Sequence, residues 1–289
     1  MDNKHAYLII AYDHPLILQK LICALDDKRN DIFIHIDKKA NINIKSLNVK
    51  DSNLYIIPES INAGWGDVSL VKIELLLIEE MLNHGHYQYC HFLSDSDFPI
   101  KSQDYIHHIC DINEDREYIG YCRYKTVNNE VTEKVQYYYL YAKYFKNGNM
   151  LQHITRYSFL KIQHILGYKR NRGINFKKGS QWCSITYDFA KYLYSQKDKI
   201  LKIYAHTYCS DEIFIQTACW NSVFRKNIYC VDDEYGCLRY IKWNNNVLYP
   251  INKSDINKMI ISNKWFARKF SEDKLEIVDE VSRKLGEKE

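Results

Sequence analysis

Glycine and proline are scarce in this chain, 10 and 4 of 289 residues, under half of the roughly 12% the pair contributes on average. That excludes a collagen-like, linker-rich or low-complexity protein. Long hydrophobic runs are missing too: none approaches the ~18 residues that a membrane-spanning helix needs. The run Ala6 to Tyr12 follows an ordinary charged pentapeptide and has no small-residue cleavage site, so no secretory signal is expected. Nine cysteines are present without a CxxC pair. An odd, irregular set points to reduced thiols in a cytoplasmic protein, not to a disulfide frame or a zinc site. Common nucleotide signatures are absent as well. Gly64-Trp65-Gly66 lacks the third glycine of a dinucleotide fingerprint, and there is no P-loop.

Tyrosine is what the chain has in excess: 25 residues, against 11 Phe and 5 Trp. Its flat apolar face and polar tip suit wet surfaces that grip polar ligands. Charge is unevenly placed. The whole chain is +4, yet Tyr118 to Lys178 carries 12 Lys or Arg against Glu130 and Glu133, a local +10 that leaves −6 elsewhere. Ten tyrosines interleave with those cations. The pattern suits an anionic partner with stackable rings. Its bland alternative is a solvated helical face with tyrosines packed beneath.

The first third alternates strand and helix signals. Ala6–Tyr12 reads as a buried strand, Pro15–Leu25 as a helix, residues 31–37 and 54–57 as strands, and 69–82 as a helix. Tyr89–Leu93 is a fourth strand, Ser102 can cap the next helix, and 117–121 reads as a fifth strand. Repeated β-α-β with short connections implies an α/β domain with a mainly parallel sheet flanked by helices. The basic Tyr-rich stretch (118–178) interrupts this as an insertion with a helix somewhere in 154–166. Beyond it, 180–186 reads as a strand, 187–195 and 210–220 as helices, and 238–243 as a strand. Ser254 can cap a helix to Ser262, and 274–285 is a final amphipathic helix. With no repeat and no linker, residues 1–289 read as one domain: a nucleotide-binding half (1–117), the insertion, and a catalytic half (179–289).

Four groups of residues invite chemistry, each beside a structural alternative. Asp95 and Asp97, directly after a strand, can hold a divalent cation at a diphosphate, or simply form a turn before Pro99. In Ser210-Asp211-Glu212 the carboxylates offset a helix dipole, and the same place favours Glu212 as an ionised general base. Arg239, in a strand otherwise suited to burial, needs a partner, either a diphosphate or a structural one. Phe266-Ala267-Arg268-Lys269-Phe270 sets adjacent cations between aromatics. His84, His86 and His91 lack a completing ligand and read as surface and core histidines.

In this order the pieces resemble the core-2/I-branching β-1,6-N-acetylglucosaminyltransferase family, which also holds peptide xylosyltransferases. The stretches that carry the resemblance begin with His5-Ala6-Tyr7-Leu8-Ile9-Ile10-Ala11, Ile34-His35-Ile36-Asp37, Ala63-Gly64-Trp65-Gly66 and His91 through Lys101. They continue with Lys178-Gly179-Ser180-Gln181-Trp182, Ser210-Asp211-Glu212, Leu238 through Trp243 and Phe266 through Phe270. Eight in sequence are specific where each alone is not.

The resemblance implies a GT-A-type fold and inverting transfer of a sugar, N-acetylglucosamine first, from its UDP form to a glycan hydroxyl. It implies Glu212 as catalytic base and Asp37 and Lys269 in the donor site, which is expected also to include Ala11, Asp97, Arg239 and Arg268. Lys269 would neutralise the departing diphosphate, and Asp37 would lie by the uridine. A second, arginine contact to the diphosphate matches near Asn246, which is uncharged, so Arg239 is its expected substitute. Trp182 and Trp243 are expected to wall the acceptor. No cofactor or divalent metal is expected, although Asp95 stands where relatives carry glycine and keeps a metal-dependent enzyme as the alternative. Composition and resemblance together suggest a bacterial member building surface polysaccharide, with a lipid-linked acceptor and peripheral contact with an anionic membrane. No nucleic acid is expected; a polyanion- or RNA-binding protein is the rival from outside enzymology.

Overall fold

Strand β1 (His5–Ala11) is buried at every position, as an apolar run must be when both faces of a sheet are covered. The computed structural model describes residues 3–122, 125–244 and 247–286. Pro15 opens α1 (Pro15–Leu25), where its missing N–H costs nothing. There follow β2 (Asn30–Ile36), β3 (Asn53–Ile56), α2 (Ser69–His84), β4 (Tyr89–Ser94), β5 (Asp97–Pro99) and α3 (Gln103–Ile112). The Ser102 side chain accepts from the Tyr105 N–H and caps α3 as expected. The basic stretch supplies α4 (Lys125–Gln136) and α5 (Met150–Ile165). The rest is β6 (Ser184–Thr186), α6 (Tyr187–Ser195), α7 (Lys197–Tyr204), α8 (Phe214–Trp220), α9 (Asp233–Gly236) and β7 (Arg239–Ile241). Last come β8 (Trp243–Asn244), β9 (Val247–Leu248), α10 (Ile256–Ile261), β10 (Phe266–Arg268) and α11 (Leu275–Gly286).

The main sheet has the order β3-β2-β1-β4-β6, with the first four parallel and β6 antiparallel. This is the mainly parallel α/β, GT-A-type architecture. Alternate residues of β1 divide between two cores: Ala6, Leu8 and Ile10 face α2, while Tyr7, Ile9 and Ala11 face α1, α3 and α11. Strand order reverses at β1, so the carboxyl ends of β1 and β4 form the crevice where open α/β sheets take ligands. A small second sheet, β5-β10-β7, lies beside that crevice.

Several expected elements come out differently. Residues 117–121 make only two isolated bridges, Glu117 with Ile228 and Tyr118 with Ser184. Of 180–186, only β6 pairs. Residues 210–220 are not one helix: a 3₁₀ turn (Ser210–Glu212) is followed by a break at Ile213 and then α8. Residues 238–243 split into β7 and the β8–β9 hairpin. Ser254 does not cap α10; the Asp255 carboxylate accepts from the Asn252 N–H at that turn instead. The insertion holds α4 as well as α5, while Arg123 and Tyr124 within it, and Asn246, lie outside the described residues. All nine cysteines are free.

His91 is a core residue, and it is not alone. Its Nε2 meets His5 Nδ1 at 3.0 Å, and His5 stacks on His107 with centroids 3.8 Å apart. Burial pushes His35 and His107 down to about 4, and holds His5 and His91 well below the usual range. Below about pH 6.5 the unfolded chain binds protons that these folded histidines refuse. Stability therefore falls with pH, by up to ~1.4 kcal/mol per pH unit for each. Glu117 works the opposite way: burial pushes it up to about 8, so the folded state holds a proton the unfolded chain releases. Buried Glu74 and Asp211 are raised as well. The two sets offset each other between about pH 6.5 and 4.5; below that the histidines act in the same direction as Asp27, whose carboxyl the Arg29 side chain holds down at about 2. Urea-unfolding midpoints should stay nearly level from pH 7 to 5 and drop steeply below; a level series down to pH 4 would refute this account.

Candidate active site

Three of the expected site residues sit at the carboxyl ends of the parallel strands, and two of them are occupied by the backbone. Asp37 accepts from the Lys39 N–H at 2.8 Å and the Ala63 N–H at 2.7 Å, tying the end of β2 to the Gly64-Trp65-Gly66 loop. Asp95 Oδ2 accepts the N–H groups of Tyr12, Asp13 and His14 at 2.5, 2.9 and 3.1 Å. It locks the loop after β1 over the crevice. Ala11 is wholly buried and its carbonyl accepts from the Asp37 N–H. Both its methyl and its carbonyl are covered at the carboxyl end of β1.

Glu212 ends the 3₁₀ turn, and its carboxylate is 38% exposed. Cys209, in left-handed conformation, turns the chain into it, and the Cys209 N–H donates to Gly66 O at 2.9 Å. The helix-dipole argument for Glu212 therefore does not hold, since α8 begins only at Phe214. A side-chain cation stands in its place. Lys178 Nζ lies 3.2 Å from Glu212 and 3.6 Å from Glu130. Burial opposes the Lys178 charge, but the two carboxylates outweigh it and raise the ammonium above its ordinary value. Behind Glu212 is a second layer of acid. Asp211 is buried, pushed up to about 7 first by burial and then by the Glu212 charge. Glu74 of α2, also buried and raised, accepts from Gln181 Nε2 at 2.7 Å.

The other cluster is built on β10. Arg268 pairs with Asp97 across the small sheet, with Nε 3.3 Å from Oδ1. Its guanidinium lies over the Trp182 ring at 4.4 Å. Asp97 is 1% exposed beneath it, and its other oxygen accepts from the Ser94 N–H. A donor sugar reaches Asp97 only if Arg268 moves aside, and Arg268 already covers one face of Trp182. Lys269 follows directly, half-buried, and no described residue bonds its ammonium; Asn246, near which the resemblance would put the second diphosphate contact, lies outside the described residues. Arg239 corrects the expectation made for it. It is buried among the carbonyls of Cys237, Phe92 and Cys183 and the Ser184 hydroxyl, and stacks on Phe266 at 4.5 Å. That is a structural arginine joining two sheets, with no face left for a diphosphate. Trp243 is exposed on the β8–β9 hairpin, on the chain that returns to pair Ile251 N–H with Lys269 O.

One extended segment joins the two clusters. Gly179 donates its N–H to Glu212 O at 3.0 Å, with Lys178 on one side of it and Gln181 and Trp182 on the other. Gly179 is pressed so closely on Gly120 that an added Cβ would stand 1.8 Å from the Gly120 carbonyl oxygen. Since that obstacle is backbone, Gly179→Ala should cost ~3 kcal/mol or more and displace Glu212. An unfolding midpoint within error of wild type would show that the backbones can part.

A model of the core-2/I-branching enzyme family matches residues 5–271. This chain belongs to the core-2/I-branching family. That makes it a member of a glycosyltransferase family, and the match includes both clusters and the segment between them. The chain is also 23% identical over 236 residues, 78% of its length, to xylosyltransferase oxt of Drosophila melanogaster, and 23% identical over 71% of its length to its counterpart in Drosophila pseudoobscura pseudoobscura. It spans about a quarter of the length of either relative. Among the described residues no helix is long and apolar enough to cross a membrane.

Within the core-2/I-branching domain, sequence reasoning missed Lys178, Gln181, Asp211 and Glu74 as site residues. Lys178 and Gln181 stood inside a matched stretch; Glu74 interrupts the apolar face of α2 between Val71 and Ile78, which was a readable signal. The two carboxylates of the alternative metal pair have different partners: Asp95 Oδ2 holds the 12–14 loop and Asp97 is ion-paired with Arg268. The carboxylates and imidazole of Asp13, His14 and Asp95 do approach within 4.8 Å of one another. One of the three is already engaged, since one Asp95 oxygen accepts three N–H groups. A groove of about 550 Å³ between α1 and α11 contains none of the expected site residues.

Proposed function

We propose that this protein transfers a sugar, N-acetylglucosamine in the first instance, from a UDP-sugar to a hydroxyl of a glycan acceptor with inversion at the anomeric carbon. The observation that carries the reading is the pairing of a half-exposed carboxylate, Glu212, with a separate cationic cluster, Arg268 and Lys269, on one matched segment. From Lys178 to Trp182 that segment spans at most ~14 Å, the scale of a hexose with its diphosphate. Glu212 takes the proton of the acceptor hydroxyl as its oxygen attacks the anomeric carbon. When Glu212 becomes neutral, Glu130 still compensates Lys178. The bond to UDP breaks, and negative charge growing on the diphosphate meets Lys269 and Arg268, with no divalent cation required. Asp37 orders the loops where the uridine would lie. Trp243, exposed on the β8–β9 hairpin, is the proposed acceptor wall, and the acceptor is proposed to be a lipid-linked precursor of a bacterial surface polysaccharide.

The test is a panel of UDP-sugars that includes UDP-N-acetylglucosamine and UDP-xylose, the latter because the matched relatives are named xylosyltransferases. One donor should raise the melting temperature and be hydrolysed or transferred. If none of the panel does either, the transferase reading fails.

A further inference from the structure

Helix α5 is packed the wrong way round for water. Its inward face carries Arg156 and Gln163, both buried. Gln163 Oε1 accepts from the Tyr138 N–H at 2.8 Å, its Nε2 donates to Tyr138 O at 3.1 Å, and Arg156 lies over Phe145 at 4.4 Å. Its outward face carries Met150, Leu151, Ile154, Tyr157, Ile162 and Ile165, from 50% exposed at Ile162 to 78% at Met150. At about 100° per residue these six form one continuous stripe. Asn149 and Gln152 close a capping box, so the helix is well formed at its start. A folded helix whose apolar stripe faces outward marks a docking surface.

Charge decides what docks. Between Glu133 and Asp188 there is no acidic residue, but ten Lys or Arg. Arg156, Arg170 and Lys178 are engaged within the protein: Arg170, for example, donates to Val135 O and Ile203 O. Lys161, Lys169 and Arg172 are exposed, the first within the stripe and the others just past its end. A second copy of the chain fits poorly, since a two-fold contact would set this positive stretch against itself. An anionic bilayer offers both halves of the complement: hydrocarbon for the stripe and negative headgroups for its cations.

We infer that α5 is a membrane-docking helix that lies in the plane of an anionic bilayer surface with its apolar stripe toward the acyl chains. This extends the lipid-linked acceptor in the proposed function, but it requires no catalysis. Flotation of the full chain with phosphatidylglycerol-containing and pure phosphatidylcholine vesicles, across a salt series, reads it directly. Wild type should float with the anionic vesicles, less so as salt rises. Ile154→Asp with Ile165→Asp should abolish flotation at an unchanged unfolding midpoint and unchanged activity on a water-soluble acceptor. Lys161→Glu, Lys169→Glu and Arg172→Glu together should weaken it, by roughly fivefold or more for each reversed charge. Arg170 is left in place because it holds the fold. Absence of flotation with the anionic vesicles, or flotation of the double aspartate variant like wild type, overturns the inference. A dimer in solution that Ile154→Asp dissociates also overturns it, assigning the stripe to a second copy. Glu212→Gln should float as wild type does, so a failed transfer assay and a failed docking assay remain separate results.

Discussion

Glu212→Gln should leave the protein folded and donor binding intact while lowering transfer by ~10²–10⁴. The substitution removes the proton acceptor and little else. The Glu212 carboxylate is partly exposed and, among the described residues, paired with Lys178, while its carbonyl, which receives the Gly179 N–H, is unchanged. Lys178 retains Glu130 as a counter-charge. Asp211 reports independently on the change: burial is the larger cause of its upward shift and the Glu212 charge the second, so its carboxyl should move down from about 7 in the variant. The measurement is steady-state transfer beside the donor-induced change in melting temperature. Activity within a few-fold of wild type would leave Glu212 as a partner for Lys178 and nothing more.

Lys269→Ala is the second large effect, with ~10²–10³ lost from kcat, the range seen when one preorganised donor to developing negative charge is removed. Arg268→Ala is a poorer probe of the same step. It also strands Asp97, which is 1% exposed, without its ion-pair partner, and breaking a buried pair in that way costs ~3–5 kcal/mol. Lys269 supports no described carboxylate, so its loss should act on the reaction and leave the unfolding midpoint nearly unmoved. Wild-type transfer should also survive EDTA if, as proposed, Lys269 and Arg268 take the place of a divalent ion at the diphosphate. If EDTA abolishes transfer and magnesium or manganese restores it while Lys269→Ala remains active, the leaving group is held by a metal, and Asp13, His14 and Asp95 become its first candidates.

Sequence alone determined the parts of this protein that depend on local pattern. The apolar run of β1, the helical spacing of Leu70, Ile73 and Leu77, and the cap at Ser102 were enough for the parallel sheet and its helices, because burial on both faces imposes a pattern that each element shows by itself. Eight short stretches in order were enough for the family. Tertiary structure decided which polar residues are free to act. Arg239 and Arg268 look alike in sequence, each a cation among apolar neighbours. One is enclosed by the carbonyls of Cys237, Phe92 and Cys183 and the other stands over Trp182 beside Asp97, and only the packing of β7, β10 and β4 separates them. Asp95 and Asp97 likewise read as a pair and part on folding toward different partners. The same holds for α5: its sequence showed a helix with basic and aromatic residues, but which face was left outside depended on where Tyr138 and Phe145 were waiting for Gln163 and Arg156. Hydrogen-bond partners distant in sequence make those choices, and no local period records them.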